Sequence, residues 1–154
     1  MLGFSIIATC YNHLPFLAGL IEMLNQQTFT AFELILVDNN SQDGSADWIQ
    51  NLPPQTFPVK KILNPENLGI CKAFNQGEAL AAGKYLIDLA PDDTFLPKKL
   101  EKNFQLLEKY QSHFLFSDCK AVDQKGEKLY LFSERFPFHY SCLLYTSPSP
   151  RDRG

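Results

Sequence analysis

The chain has 154 residues, 45% hydrophobic and 20% charged, with a formal net charge of -3. This suits one globular domain burying roughly two-thirds of its unfolded surface, and it gives no electrostatic case for a nucleic-acid polymer as partner. No apolar run reaches membrane-spanning length, and the N-terminus lacks a basic leader pattern; Cys10, Cys71, Cys119 and Cys142 are too widely spaced for a paired metal-ligand motif, so reduced structural thiols are expected.

Phe4 to Thr9 is a short apolar run expected as a strand, left through Cys10-Tyr11-Asn12. Pro15 suits the first turn of the following helix, where Leu17, Leu20, Ile21 and Leu24 recur at helical spacing and form one buried face. Glu33 to Asp38 is the second strand, and its Leu34-Ile35-Leu36-Val37 run is of the kind buried on both faces. It stops at Asp38 and becomes Asn-Asn-Ser-Gln-Asp-Gly, which is turn and helix-start chemistry. A helix around Trp48 follows, ended by Pro53-Pro54, and Val59 to Leu63 is the third strand.

Asn67-Leu68-Gly69 opens a third helix in which Ile70, Ala73, Phe74, Gly77, Leu80 and Ala81 can share one face. The small residues Ala73, Gly77, Ala81 and Ala82 would let it approach a sheet closely. Lys84 to Leu89 is the fourth strand, ending in Ala90-Pro91-Asp92-Asp93. Pro97 begins a fourth helix with Leu100, Phe104 and Leu107 inward. Phe114 to Asp118 is expected as a fifth strand, Asp123 to Glu127 as a hairpin turn, and Lys128 to Phe132 as its return.

Strands alternating with helices at this spacing predict an α/β fold with a mostly parallel sheet. In such a sheet the strand exits lie on one edge, where open α/β folds place their ligands. Thr9 to Asn12, Asp38 to Ser41 and Asp92-Asp93 would then face one crevice. Acids there suit a divalent cation, Mg²⁺ or Mn²⁺, with a phosphorylated ligand. The alternative is a solvated acidic edge, with Asp38 no more than the cap of its turn. Three polar exits on one edge favour a site.

These residues carry a resemblance. SIIATCYN, QQTFTAFELILVDNNSQDGS, NPENLGICKAFNQGEALAAGKYL and DLAPDDTFLP resemble, in order and spacing, the donor half of the family 2 nucleotide-sugar glycosyltransferases. The match covers about Phe4 to Gly126. It implies the GT-A fold, three layers with a mostly parallel sheet flanked by helices. It also implies a nucleotide-diphosphate sugar, a hydroxyl acceptor, transfer with inversion and a divalent cation. Cell-surface polysaccharide or glycan synthesis follows, in the cytoplasm or at the inner face of the membrane.

Carried over by position, the resemblance implies that Thr9 and Tyr11 line the nucleoside pocket, Tyr11 by packing its ring on the base. Asp38 would accept a hydrogen bond from the base. Lys72 would approach the diphosphate, unless it is a solvated helix lysine. Asp92 would ligate the metal, and Asp93 would brace it or face the sugar. Two positions depart from the family: Ala90 replaces the first acid of the metal motif, and Asn39 stands where many relatives carry a second Asp. Asp88 is expected inside its strand and receives no role.

The general base that deprotonates the acceptor is expected beyond the matched region. Residues 1–141 would then be a donor-binding half, truncated and inactive alone. Residues 142–154 (CLLYTSPSPRDRG) resemble adapter-derived sequence and are expected to be unstructured. A non-catalytic nucleotide-sugar binding module of the same fold is the competing reading. A receiver-like domain needs an acid pair after the first strand, and a dinucleotide-binding fold needs a glycine-rich turn there; the chain has Thr-Cys-Tyr-Asn.

Overall fold

A computed structural model describes residues 1–123 and 127–135, which divide into two compact units at Ser112/His113. The tip of the expected hairpin (124–126) and the tail 142–154 lie outside the described residues.

The first unit alternates β1 (Phe4–Cys10), α1 (Leu14–Asn25), β2 (Phe32–Asp38), α2 (Ser45–Gln50), β3 (Val59–Leu63), α3 (Ile70–Leu80), β4 (Tyr85–Asp88) and α4 (Lys99–Tyr110). The four strands form one wholly parallel sheet in the order β3-β2-β1-β4. Strand alternation sorts the core into two clusters. Phe4, Ile6, Ala8, Phe32, Leu34 and Leu36 pack with Leu17, Leu20 and Leu24 of α1, Ile49 of α2, and Leu100 and Leu107 of α4. Ile7, Ile35 and Val37 face α3 through Ala73, with Ile62 and Phe74 at the margin. This is the expected three-layer arrangement. Each fully buried leucine of α1 contributes about 1.5–3 kcal/mol, which is why so short a helix holds its place.

Several boundaries differ from expectation. In α3 the buried residues are Ala73 and Gly77, while Ile70 is 68% and Leu80 44% exposed. Ile70 is the first residue of the helix and Leu80 the last, where its ends leave the sheet. Gly77 does permit the close approach: a Cβ there would lie 2.6 Å from Ile7 Cγ2. The chain is already extended at Ala81, because the amide of Ala82 is claimed by a side chain of the sheet.

That side chain is Glu33, 1% exposed at the amino end of β2. Its Oε1 accepts from Ser5 Oγ at 2.6 Å and from the Ala82 N–H at 2.7 Å. Lys60 Nζ lies 2.8 Å from its Oε2 and also donates to the Leu80 carbonyl at 2.6 Å. Ser5 Oγ accepts in turn from the amides of Ala82 and Gly83. Burial by itself would raise this carboxyl, but the bonds from Lys60, Ser5 and Ala82 outweigh it and hold Glu33 below its usual range.

The second unit contains β5 (Lys120–Val122), β6 (Lys128–Leu131) and the single turn α5 (Phe132–Arg135). β5 and β6 pair antiparallel, and the Asp123 N–H donates to the Glu127 carbonyl across the expected turn. Phe114 to Asp118 is not a strand. An apolar run does not make a strand without a ladder partner, and this run has none among the described residues. Phe114 and Phe116 are 71% and 73% exposed and pack their rings on each other.

Glu33→Gln should lower unfolding free energy at neutral pH by about 1.5–3 kcal/mol, the range for hydrogen bonds to a charged group. Because the folded-state pKa is depressed, the wild-type contribution is present above the unfolded pKa and lost as pH falls through the folded one. Denaturant melts at neutral and acid pH should therefore converge for the two proteins on the acid side. Parallel curves at every pH would show that the carboxylate contributes nothing.

Candidate functional site at the carboxyl edge of the sheet

All four strands release their chains at one edge, with β4 beside β1 and β1 beside β2. Two strand spacings, about 10 Å, separate the exits of β4 and β2. The exit loops of β1 and β2 are fastened to each other. The Asn12 N–H donates to Ser41 Oγ at 2.9 Å, and the Gln42 N–H to Asn12 Oδ1 at 2.8 Å. α1 has no side-chain cap of its own; the Leu14 N–H is met by Asp43 Oδ2 at 2.9 Å, while Asp43 Oδ1 accepts from Ser45. Some loss of water opposes it, but these bonds from Ser45 and the Leu14 amide hold Asp43 below the usual carboxylate range. Asn12 and Asn40 adopt left-handed conformations (φ 58° and 66°), which asparagine tolerates better than most residues. The two loops thus form one hydrogen-bonded rim.

Asp38 sits beneath this rim as the last residue of β2 and is 1% exposed. Its Oδ2 accepts the Ser41 N–H at 3.0 Å, as a turn cap would. Its Oδ1 is buried without a hydrogen-bond partner, and so is Thr9 Oγ1 on the next strand. The capping role and the open acceptor coexist on one side chain. The pleat, however, puts Thr9 on the α3 face with Val37, whereas Asp38 pairs with Cys10 and belongs to the opposite face. Both reach the edge from different sides. Cys10 is buried beside Asp38, and burial pushes its thiol up. Cys71 and Cys119 are exposed rather than core thiols. Tyr11 stands in the β1–α1 loop, 46% exposed.

On the β3 side Asn39, Asn64, Asn67 and Gln76 form an amide ladder leading into α3. Lys72 lies in the first turn of that helix, exposed and without an ion-pair partner among the described residues. On the β4 side the strand ends at Asp88, one residue earlier than predicted. Asp88 therefore stands at the exit, not inside the strand. Loss of water and the charges of Asp92 and Asp88 push the Asp93 carboxyl up; loss of water pushes Asp88 up as well. Three acids thus crowd one strand end with no basic partner among the described residues. Asp92 and Asp93 also line an open cleft of about 320 Å³ walled by α1 through Phe16 and Met23.

A cation would relieve that crowding. Among the described residues no three His, Cys, Asp or Glu side chains converge tightly enough to hold an ion by themselves. The acids at the β4 exit therefore do not form a protein-only metal cage.

Residues 5–148 match the sequence model of Glycosyl transferase family 2. The chain belongs to that family. It is 35% identical over 123 residues to an uncharacterized glycosyltransferase of Haemophilus influenzae, covering 78% of this chain and 40% of that protein. Among solved structures, Staphylococcus aureus TarS 1-349 in complex with UDP-GlcNAc superposes with a TM-score of 0.63 at 22% identity, over 71% of this chain and 32% of that chain. The mannosyltransferase PcManGT of Pyrobaculum calidifontis, in complex with GDP-Man and Mn²⁺, superposes with a TM-score of 0.57 at 18% identity, over 79% of this chain and 35% of its own. These likenesses establish the GT-A type of fold. The chain spans about half the length of the curated relatives it matches. No helix among the described residues is long and apolar enough to cross a membrane.

The pattern placed Asp88 inside its strand and left Asn39 without a role; the structure puts Asp88 at the strand end and Asn39 in the amide ladder. Asp88 stands at the exit because β4 ends there, one residue before Leu89.

Asp93→Asn should raise the melting temperature at pH 7 in chelator, since it removes a like charge from the crowded β4 exit. A raised carboxyl opposes folding above its pKa and ceases to do so as pH falls, so the gain should shrink toward acid pH. A variant less stable than wild type at pH 7 would show that the Asp93 charge is already balanced.

Proposed function

We propose that the chain is the donor-binding part of a transferase that moves a sugar, with inversion, from a nucleoside diphosphate to a hydroxyl acceptor. One observation carries this reading: Asp38, 1% exposed, keeps Oδ1 buried and unpaired. An unmet buried acceptor costs about 1–3 kcal/mol, and a base N–H is the donor that would relieve it. Because the oxygen is covered, contact requires a local shift of the exit loops. Tyr11, half-exposed on the same rim, supplies a ring to pack on the base, and Thr9 lines the pocket from the α3 face. The first turn of α3 and Lys72 face the diphosphate, where helix-terminal N–H groups and a cation favour negative charge.

Asp92 would hold the divalent ion, with Asp93 bracing it or facing the sugar and Asp88 adding charge behind both. When bound, such an ion neutralises charge on the departing diphosphate. Mg²⁺ or Mn²⁺ would serve; Ala90 leaves the protein short of one carboxylate, so binding depends on phosphate oxygens. No general base is assigned. The acid that deprotonates the acceptor would come from the part of the longer relatives that this chain does not span, and residues 1–141 would be inactive alone, with 142–154 dispensable. A role in cell-surface polysaccharide or glycan synthesis, in the cytoplasm or at its membrane face, fits a nucleotide-sugar donor. Ala90 is the observation favouring the second reading, a binding module without turnover.

Calorimetric titration with UDP and with GDP, each with and without Mn²⁺, tests this. Asp38→Ala should weaken the preferred nucleotide about tenfold or more in both conditions, matching a lost charge-assisted bond. Asp92→Asn should leave the metal-free affinity unchanged and abolish the gain from Mn²⁺. An unchanged affinity in Asp38→Ala would remove that residue from the pocket; an undiminished Mn²⁺ gain in Asp92→Asn would remove the metal assignment.

A further inference from the structure

Asn39 is 3% exposed, and each end of its carboxamide has a defined task. Its Oδ1 accepts the Leu68 N–H at 2.9 Å and Asn64 Nδ2 at 3.4 Å. Its Nδ2 donates to Asn67 Oδ1 at 2.9 Å, and that same oxygen accepts the Gly69 N–H at 2.9 Å. The two backbone donors fix the polarity of both amides, since an N–H meets only an oxygen. Asn64 extends the ladder from its Nδ2 to Gln76 Oε1 at 2.9 Å, inside α3. The backbone joins in: the Asn39 N–H donates to the Cys10 carbonyl at 2.8 Å, and the Asn64 N–H to the Asp38 carbonyl at 2.9 Å.

We infer that Asn39 is a positioning residue whose side-chain amide ties the exit of β2 to the first turn of α3, setting that turn for the diphosphate of a bound nucleotide. The inference rests on the nucleotide reading above. A carboxylate of the same shape is not equivalent here. It would oppose an acceptor to Asn67 Oδ1, and turning Asn67 over to offer its Nδ2 would strand the Gly69 N–H. Gly69 precedes α3 at φ 80° and ψ 156° and contributes no side-chain cap. The direction of the first turn is therefore set by its neighbours, Leu68 and Gly69, whose amides both end on this ladder. What looked like a lost acid is a required donor.

Asn39→Asp tests the idea, with Asn67→Ala on the exposed side of the same ladder as a second variant less demanding of the fold. Hydrogen exchange should speed up at the Leu68 and Gly69 amides while β1 and β2 amides keep their wild-type protection. UDP or GDP, whichever wild type binds, should then weaken about tenfold, within the range of a helix-terminus contribution. The matching nucleoside, uridine or guanosine, should change less than about twofold by the same scale. A residue that merely supports the fold would weaken nucleoside and nucleotide alike, and that outcome overturns the inference. Unchanged exchange at Leu68 and Gly69 in both variants overturns it too, whatever the ligand does. Wild type binding neither UDP nor GDP removes the nucleotide reading and this inference with it, whereas a wild type that binds normally leaves the variants to decide this inference alone.

Discussion

The buried carboxylate of Glu33 is the interaction on which the first unit depends. One side chain gathers Ser5 of β1, Lys60 of β3 and the turn between α3 and β4 around the amino end of β2. Hydrophobic burial is non-directional and would tolerate sliding of α3 along the sheet. A buried charge is not tolerant: it must be met by donors at fixed positions or it costs more than it contributes. Glu33 thereby sets where α3 ends and where β4 begins. Gly77, pressed against Ile7, then leaves the helix little freedom to shift.

With the amino edge locked, the carboxyl edge can carry groups that do not satisfy one another. Asp38 Oδ1 and Thr9 Oγ1 are left unpaired, and Asp88, Asp92 and Asp93 crowd together without a basic partner among the described residues. The contrast between the two ends is chemical. At the amino end the buried Glu33 carboxylate is answered from within the chain; at the carboxyl end acceptors are in surplus, with exposed Lys72 in the first turn of α3. A ligand that brings N–H donors at one end and phosphate with a cation at the other would balance that surplus.

The rim that surrounds these acceptors is held together by bonds separate from them. Asn12, Ser41, Asp43 and Ser45 interlock the β1 and β2 exits, and Asp43 caps a helix that is not its own. Asn39 does the same toward α3. Each loop therefore takes its shape from a neighbour, so that the loops form one surface across three strands.

Much of this was determined by the sequence itself. β3, a half-exposed edge strand, was marked by the prolines that bound it, whereas apolar runs located β1 and β2 to within a residue or two because those strands are buried, and burial writes hydrophobic pattern into sequence. The leucine spacing of α1 and the abrupt stop at Asp38 were legible for the same reason, and a parallel order followed from the strand–helix alternation. The tertiary structure decided what pattern does not encode. Phe114 to Asp118 has strand composition but no ladder partner among the described residues, and pairing is a property of two segments. Asp88 became an exit residue because β4 is only four residues long. Asn39 read as a missing acid, yet its carboxamide donates where a carboxylate could not, and no single-residue rule could show this because its partners arrive from about thirty residues away. Hydrophobic burial leaves a periodic trace along the chain; hydrogen-bond partnership across loops leaves none.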